Sequence, residues 1–226
     1  MDILSIVISL FVLVFAITIH ESAHGWIAYK MGDPTAYALG RITLNPIPHI
    51  DPLGTIIFPI ILVIIGLPPF GWAKPVPVNP LNLKDPRRDN LWISASGPAA
   101  NLTAAAASLI AIVILKALSP RIGVFLKYFL LGGGTVKPGF YPLEGLALIL
   151  FYGALINTYL AVFNLIPIPP LDGGGVLMGL LSEEAAQKYD RIRPFGIIII
   201  MALIYLGLLH IIIRPIQIFI LKVVLT

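Results

Sequence analysis

Long apolar runs separated by short polar, proline-rich stretches dominate this chain. Residues 3–19 carry no charge and consist mostly of Ile, Leu, Val and Phe. As a helix, residues 2–31 would rise about 45 Å, which exceeds the roughly 30 Å of a bilayer's hydrocarbon core. This run therefore predicts a membrane-spanning helix. Residues 91–118 and 146–165 predict two further spans. Residues 194–213 are long enough for another, and residues 215–225 are expected either to continue it or to lie at the interface.

The pattern changes between the first two spans. Residues 32–51 contain prolines that a helix interior does not tolerate, and residues 37–44 within them could form a short strand. Residues 53–67 are apolar but short for a span, which favours a segment that enters the membrane and returns. The chain is thus predicted to be an all-α polytopic membrane protein. We expect a single domain over residues 1–226, with a bundle of about four to six transmembrane helices and a short re-entrant or β-like element after the first helix.

The composition agrees with a membrane protein and narrows the chemistry. The 226 residues are 58% hydrophobic and 12% charged, with a mean hydropathy of +0.95, values typical of a polytopic membrane protein. The lipid bilayer is therefore a partner, and no folded soluble portion offers a nucleic-acid site. The chain has no cysteine, which excludes thiolate metal sites and leaves His, Asp and Glu as the strong metal ligands.

A cluster of ionisable residues, His20-Glu21-x-x-His24, interrupts the first apolar run near its end. Histidines four residues apart share one face of a helix, so both can reach the same metal ion. His-Glu-x-x-His on a helix is a zinc-protease signature in which the glutamate is the general base. Ionisable groups at membrane depth are costly and usually functional. The motif therefore predicts a zinc site with Glu21 as the catalytic base.

The site needs a third ligand, because catalytic zinc normally takes three protein ligands and keeps one position open. Asp33 follows a glycine that ends the first helix, and His49 lies in a proline-rich loop. Asp172 follows the third span, at a point where prolines and glycines must break the helix. A carboxylate at such a break can face the bundle interior. Asp172 is the better candidate, with an ordinary Asp-Gly turn as the alternative.

The two motifs together carry a family resemblance. His20-Glu21-x-x-His24 in a transmembrane helix, with N-x-x-P-x-P-x-L-D-G far downstream at residues 164–173, resembles the site-2 protease family of intramembrane zinc metalloproteases. The resemblance implies one zinc ion per chain, held by His20, His24 and Asp172, with Glu21 as catalytic base. Many members of that family carry a PDZ domain, and no stretch here is long and polar enough to be one. The chain is similar to a compact member.

The resemblance also extends to residues that would lie near the substrate. Asn164 matches the asparagine of the downstream motif, which implies a role in holding substrate or lining the site. Gly97 and Asn101 are similar to the family's small-residue motif in the intervening core helix, and they are assigned with Asn164 to substrate binding. Packing is the alternative for Gly97 and Asn101. Capping of the broken helix is the alternative for Asn164.

The function implied is cleavage of a transmembrane or juxtamembrane segment of a membrane-protein substrate, by zinc-activated water with Glu21 as general base. A zinc or other metal-ion transporter is one alternative. It is disfavoured because the spans carry no second ligand set and no inverted repeat. An inactive membrane-binding homologue is another alternative. The oligomeric state is left open.

A shared metal ion also constrains the topology. His20 and His24 lie near the exit end of the first span and Asp172 at the exit end of the third, so an even number of crossings must separate them. Residues 53–67 are therefore predicted to make no net crossing. Nine Lys and Arg residues then lie on the side of the motif and six on the other. By the positive-inside rule, this favours an active site toward the cytoplasmic side and an N-terminus outside. The expected location is a prokaryotic cell membrane.

Overall fold

The computed structural model describes residues 3–58, 61, 64, 72–132 and 141–226. Across these residues the chain is helical, without strands. In chain order the helices are α1 (Ile3–Met31), α2 (Thr35–Ala38), α3 (Pro86–Leu118), α4 (Pro120–Leu131), α5 (Pro142–Asn164), α6 (Asp172–Leu180), α7 (Glu183–Asp190), α8 (Gly196–Tyr205) and α9 (Leu208–Leu225). Four of them, α1, α3, α5 and α9, are long and apolar enough to cross a membrane. The all-α polytopic membrane fold predicted from the sequence is confirmed.

The central bundle consists of α1, α3 and α5. The side chain of Asn101 on α3 bonds to His20 on α1 and to Asn157 on α5. Further along α3, Ser108 lies against Gly153, an earlier residue of α5. Helix α3 therefore runs antiparallel to α5, and likewise to α1, whose His24 bonds to the Ile93 carbonyl. Since α1 and α5 run in the same direction, they leave the bundle at the same end, as the topology predicted from the sequence requires.

Local sequence explains where the core helices begin and end. Helix α3 begins with Pro86 in its first turn, and the Asp85 carboxylate accepts a hydrogen bond from the backbone N–H of Arg88. Both features favour a helix start. Helix α5 ends at Asn164, before the prolines of residues 167–170. The chain resumes a helix at Asp172, whose three following glycines let α6 pack closely on its neighbours.

The apolar core lies at the end of the bundle opposite the histidines. Its largest fully buried side chains come from four helices and include Ile112, Ile122, Leu126, Leu148 and Ile220. The Lys116 ammonium donates to the Val224 carbonyl at 2.9 Å, which satisfies a free carbonyl at the end of α9. This core fixes the positions of the helices that carry the functional residues.

Two expectations about individual elements are wrong. Residues 37–44 do not form a strand, because α2 includes Tyr37 and Gly40 then turns the chain with a φ of 65°. The apolar run at residues 194–213 is not one span, because the chain turns at Gly207, whose φ is 70°. The fourth span is instead α9 (Leu208–Leu225), which includes Pro215.

The predicted re-entrant segment, residues 53–67, lies partly outside the described residues. Gly54 and Thr55, near its beginning, contact Trp72, the first described residue after it. The backbone N–H of Trp72 donates to the Gly54 carbonyl at 3.2 Å, and the Thr55 hydroxyl donates to the Trp72 carbonyl at 2.9 Å. Gly54 and Thr55 therefore lie beside Trp72, and the predicted absence of a net crossing concerns residues outside those described.

Candidate metal centre

The structure brings three of the predicted residues together: His20, His24 and Asp172. The two imidazole Nε2 atoms are 3.0 Å apart. Asp172 places Oδ2 at 3.0 Å from His20 Nε2 and Oδ1 at 3.3 Å from His24 Nε2. Among the described residues, this is the group of His, Asp and Glu side chains whose ligand atoms converge closely enough to share a metal ion.

The close approach of α3 to α1 depends on Gly97. A Cβ atom at this position would lie 2.5 Å from His24 Nε2 and 2.6 Å from His20 Cε1. Real Cβ contacts of this length do not occur, so only glycine leaves room for both imidazoles. Gly97 therefore packs against the candidate ligands, in agreement with the packing alternative.

Hydrogen bonds at the other ring nitrogens fix the tautomers of both histidines. His24 Nδ1 lies 2.7 Å from the Ile93 carbonyl oxygen, which can only accept, so Nδ1 carries the proton. His20 Nδ1 lies 2.6 Å from Asn101 Oδ1, which also accepts. In the neutral imidazoles both Nε2 atoms are therefore unprotonated and have a free lone pair directed into the cluster.

This arrangement fits a metal ion. Two imidazole lone pairs and a carboxylate converge, and without a cation they would repel each other. Asp172 Oδ2 is buried and receives no hydrogen bond, although His20 Nε2 lies beside it. Two neutral imidazole nitrogens and one carboxylate oxygen form a known ligand set for catalytic zinc. The residues present are therefore those that would hold zinc.

Glu21 lies one residue from the first candidate ligand and points toward an extended segment, residues 72–79. Its Oε2 accepts a hydrogen bond of 2.9 Å from the backbone N–H of Val76. The buried Arg41 side chain holds the same segment, because it donates to the carbonyls of Lys74 at 2.6 Å and Pro75 at 3.3 Å. The position of the Glu21 carboxylate is thus tied to a loop that the sequence did not link to the motif.

The other predicted substrate residues differ in their surroundings. The Asn164 side-chain amide donates to the Leu160 carbonyl at 2.9 Å, one turn back on α5, so it hydrogen-bonds its own helix instead of capping it. Asn101 is fully buried and contacts a candidate ligand. Asn157, which the sequence did not single out, is 5% exposed and accepts a hydrogen bond from Asn101. The signal that would have identified Asn157 is an amide in the middle of an apolar span.

Polar groups in the loop after α1 hold the extended segment in place. Burial alone would raise the pKa of the Asp33 carboxyl, but hydrogen bonds from Asn82, Thr35 and the backbone N–H of Asn79 lower it overall. Burial lowers the pKa of His49, whose Nε2 lies 3.1 Å from the Thr43 carbonyl. Asp33 is therefore ionised and His49 neutral near pH 7.

Comparisons with known proteins agree with one another. The model of peptidase family M50 matches residues 8–207. The candidate zinc metalloprotease YwhC of Bacillus subtilis is 36% identical over 198 residues, which cover 84% of this chain and 77% of YwhC. The candidate zinc metalloprotease Rip2 of Mycolicibacterium smegmatis is 27% identical over 205 residues, 87% of this chain and 68% of Rip2. No solved structure matches.

Proposed function

The chain belongs to peptidase family M50, the site-2 protease family, and on that premise we propose that this metalloprotease cleaves its substrate inside the membrane. The substrate is a transmembrane or juxtamembrane segment of another membrane protein. His20, His24 and Asp172 hold one zinc ion, and Glu21 is the general base.

The position of the candidate metal centre relative to two exposed tryptophans is the observation that carries this proposal. Trp26 and Trp92 are 52% and 53% exposed at one end of α1 and α3, and tryptophan is enriched at the membrane–water interface. Gly97, which packs on both histidines, follows Trp92 by five residues, or about 7 Å along a helix. With these tryptophans at the interface, the ligands would lie just below it, within the leaflet, and a bond cleaved there would lie in or next to a membrane segment.

The roles of the protein's own residues follow from their positions. Zinc, when bound, supplies Lewis-acid catalysis, because it polarises a carbonyl group and makes a water molecule more acidic. Glu21 accepts a proton from the attacking water and donates it to the nitrogen of the departing amine. The hydrogen bond from the Val76 N–H holds Glu21 Oε2 and leaves Oε1 for this transfer.

A helical substrate must unwind before it is cut, because a helix shields its own peptide bonds. The extended residues 72–79 border Glu21. Several of their backbone groups already bond within the fold, so an extended substrate chain would pair with the remaining ones. An unwound segment laid beside them would form an added strand with its scissile bond near the catalytic carboxylate. We therefore assign substrate alignment to this segment.

The decisive experiment replaces Glu21 by Gln in the purified full chain and measures both bound zinc and cleavage of a membrane-protein substrate. General-base catalysis typically contributes about 10²–10⁴-fold, so a loss of that size with zinc retained is expected. The matched control is Glu184→Gln, a change at an exposed position on α7, which should alter neither quantity. Undiminished cleavage by the Glu21→Gln protein would refute the role of Glu21.

A further inference from the structure

Two buried amides at the centre of the bundle, Asn101 and Asn157, lie outside the candidate ligand set. We infer that they are positioning residues, which transmit the orientation of the α5 backbone to the His20 imidazole. The inference rests on the proposed zinc ligation by His20. It also replaces the substrate-binding role expected for Asn101.

The hydrogen bonds fix the orientation of Asn157. Its Nδ2 lies 2.8 Å from the Gly153 carbonyl oxygen, which can only accept. The Asn157 amide therefore cannot be flipped without burying two acceptors against each other. Its Oδ1 must face Asn101, whose Nδ2 donates to it at 2.8 Å.

Asn101 is fixed in turn. Its Nδ2 has two hydrogens, and both have partners, because it also donates to the Ala16 carbonyl at 3.0 Å. Asn101 Oδ1 must then face His20 Nδ1, at 2.6 Å, and accept its proton. A directional series of hydrogen bonds thus runs from the α5 backbone through two amides to one ring nitrogen of His20.

The consequence for the metal is specific to His20. Because Asn101 holds the proton on Nδ1, the lone pair is on Nε2, the atom that faces Asp172 at 3.0 Å. At His24 the Ile93 backbone carbonyl holds the proton on Nδ1 in the same way, and no side-chain substitution removes this carbonyl. Groups of this kind typically contribute about 10–100-fold to metal affinity.

Burial separates this role from substrate binding. Asn101 is 0% exposed, and its amide hydrogens and Oδ1 are all bonded within the protein. A substrate could reach it only by breaking these bonds. Asn101 therefore acts through His20.

The test compares zinc dissociation constants of the full chain in detergent, measured by competition with a chelating dye. Asn101→Leu, which keeps the size but removes the acceptor, should weaken zinc binding by about 10–100-fold. Asn157→Leu should have a smaller effect in the same direction. Thr158→Val is the matched control: this buried hydroxyl on α5 bonds only to its own helix at Ala154, so zinc affinity should not change.

A second readout distinguishes positioning from a structural role. The chain has only four histidines, so ¹⁵N-histidine NMR of the metal-free protein can resolve the tautomer of His20. We expect the Nδ1-protonated form in the native protein and a mixture in Asn101→Leu. Asn101→Asp keeps an acceptor for Nδ1 and should restore zinc affinity relative to leucine, even if both variants unfold at a lower temperature.

The outcomes are separable. Native affinity and an unchanged tautomer in Asn101→Leu would overturn the positioning role while leaving the ligand assignment intact. Native zinc affinity in His20→Ala would instead overturn the proposed metal site itself.

Discussion

At the scale of single residues, the candidate metal centre depends on Gly97 having no side chain. Gly97→Ala would place a methyl group 2.5 Å from His24 Nε2 and 2.6 Å from His20 Cε1, so at least one imidazole must move. We expect zinc affinity and proteolysis to fall by at least about 10-fold, comparable to the loss of an outer-shell partner. Isothermal titration of zinc into the metal-free protein measures the first quantity.

The control for this prediction is Gly123→Ala on α4. There the added Cβ would meet only the Lys116 Cε at 3.7 Å, an ordinary contact. Removing a helix glycine at such a site stabilises modestly, by up to about 1 kcal/mol. Equal zinc affinity in both alanine variants would contradict the role given to Gly97.

A residue of the candidate site could be predicted when the residues that form its pattern lie close together in the sequence. His20 and His24 are four residues apart, so helix geometry alone places them on one face. Asp172 was identified from the break in its helix and from the family resemblance. The contact between Asn101 and Asn157 joins residues 56 apart, and it depends on the register between two helices. No local pattern in the sequence contains that register.

At the scale of elements, the extended residues 72–79 link Glu21, the proposed catalytic base, to the loops around it. Arg41 is 6% exposed and bonds to the two carbonyls that precede Val76. Its replacement by Leu should free this segment and reduce turnover while zinc stays bound. Hydrogen bonds to charged groups contribute about 1.5–3 kcal/mol, so a loss of roughly 10-fold or more is expected.

Turnover and bound zinc would be measured on the same samples of this Arg41 variant. Arg88→Leu, at an exposed position near the start of α3, is the control and should leave both unchanged. Loss of zinc together with activity would contradict a role confined to the extended segment.

Asp33 anchors the other end of the same segment, and its lowered pKa makes a prediction about pH. Its carboxylate accepts from the Asn79 N–H at 2.7 Å and from the Asn82 side chain at 2.7 Å. Because the folded-state pKa lies below the ordinary 3.8, the ionised form stabilises the fold at neutral pH. This contribution is lost as the pH falls through the folded-state pKa. Asp33→Asn should therefore lower stability by about 1.5–3 kcal/mol at pH 7.

Denaturation in detergent at a series of pH values tests this sign. The difference between the native protein and Asp33→Asn should be constant from pH 7 to about 5 and shrink only at lower pH. Asp190→Asn, at an exposed site paired with Arg193 on the surface, should show a difference of at most about 1 kcal/mol throughout. A difference for Asp33→Asn that grows on acidification would contradict the direction of the shift.

The elements that the sequence predicted incorrectly share a cause. Hydropathy reports how apolar a run is, but not where its backbone turns. Residues 194–213 form one apolar block, yet Gly207 adopts a left-handed conformation within it, and the spanning helix starts after that turn. At residues 37–44, hydrogen bonds from Gly40 and Arg41 back to α2 close a turn where a strand was expected. Both outcomes depend on local backbone bonds.

At the scale of the whole molecule, charge and topology together determine which membrane face carries the site. The parallel course of α1 and α5 brings Asp172 back to the histidines, and α9 ends beside Lys116, at the far end of α3. Nine of the 15 Lys and Arg residues belong to segments at the metal end: Lys30, Arg41, Lys74, Lys84, Arg87, Arg88, Lys188, Arg191 and Arg193. The positive-inside rule therefore favours a metal centre near the cytoplasmic face.

Single cysteines test this orientation cleanly, since the native chain has none. Leu81, 92% exposed, lies at the metal end, and Leu118, 79% exposed, ends α3 about 39 Å from Trp92 at 1.5 Å per residue. In intact cells a membrane-impermeant maleimide should label Leu118→Cys at once, and Leu81→Cys only after permeabilisation. Labelling of both sites from one side would contradict the crossing of α3. The reverse pattern would keep the fold but place the metal centre at the outer face, so that substrates are cut from outside the cell.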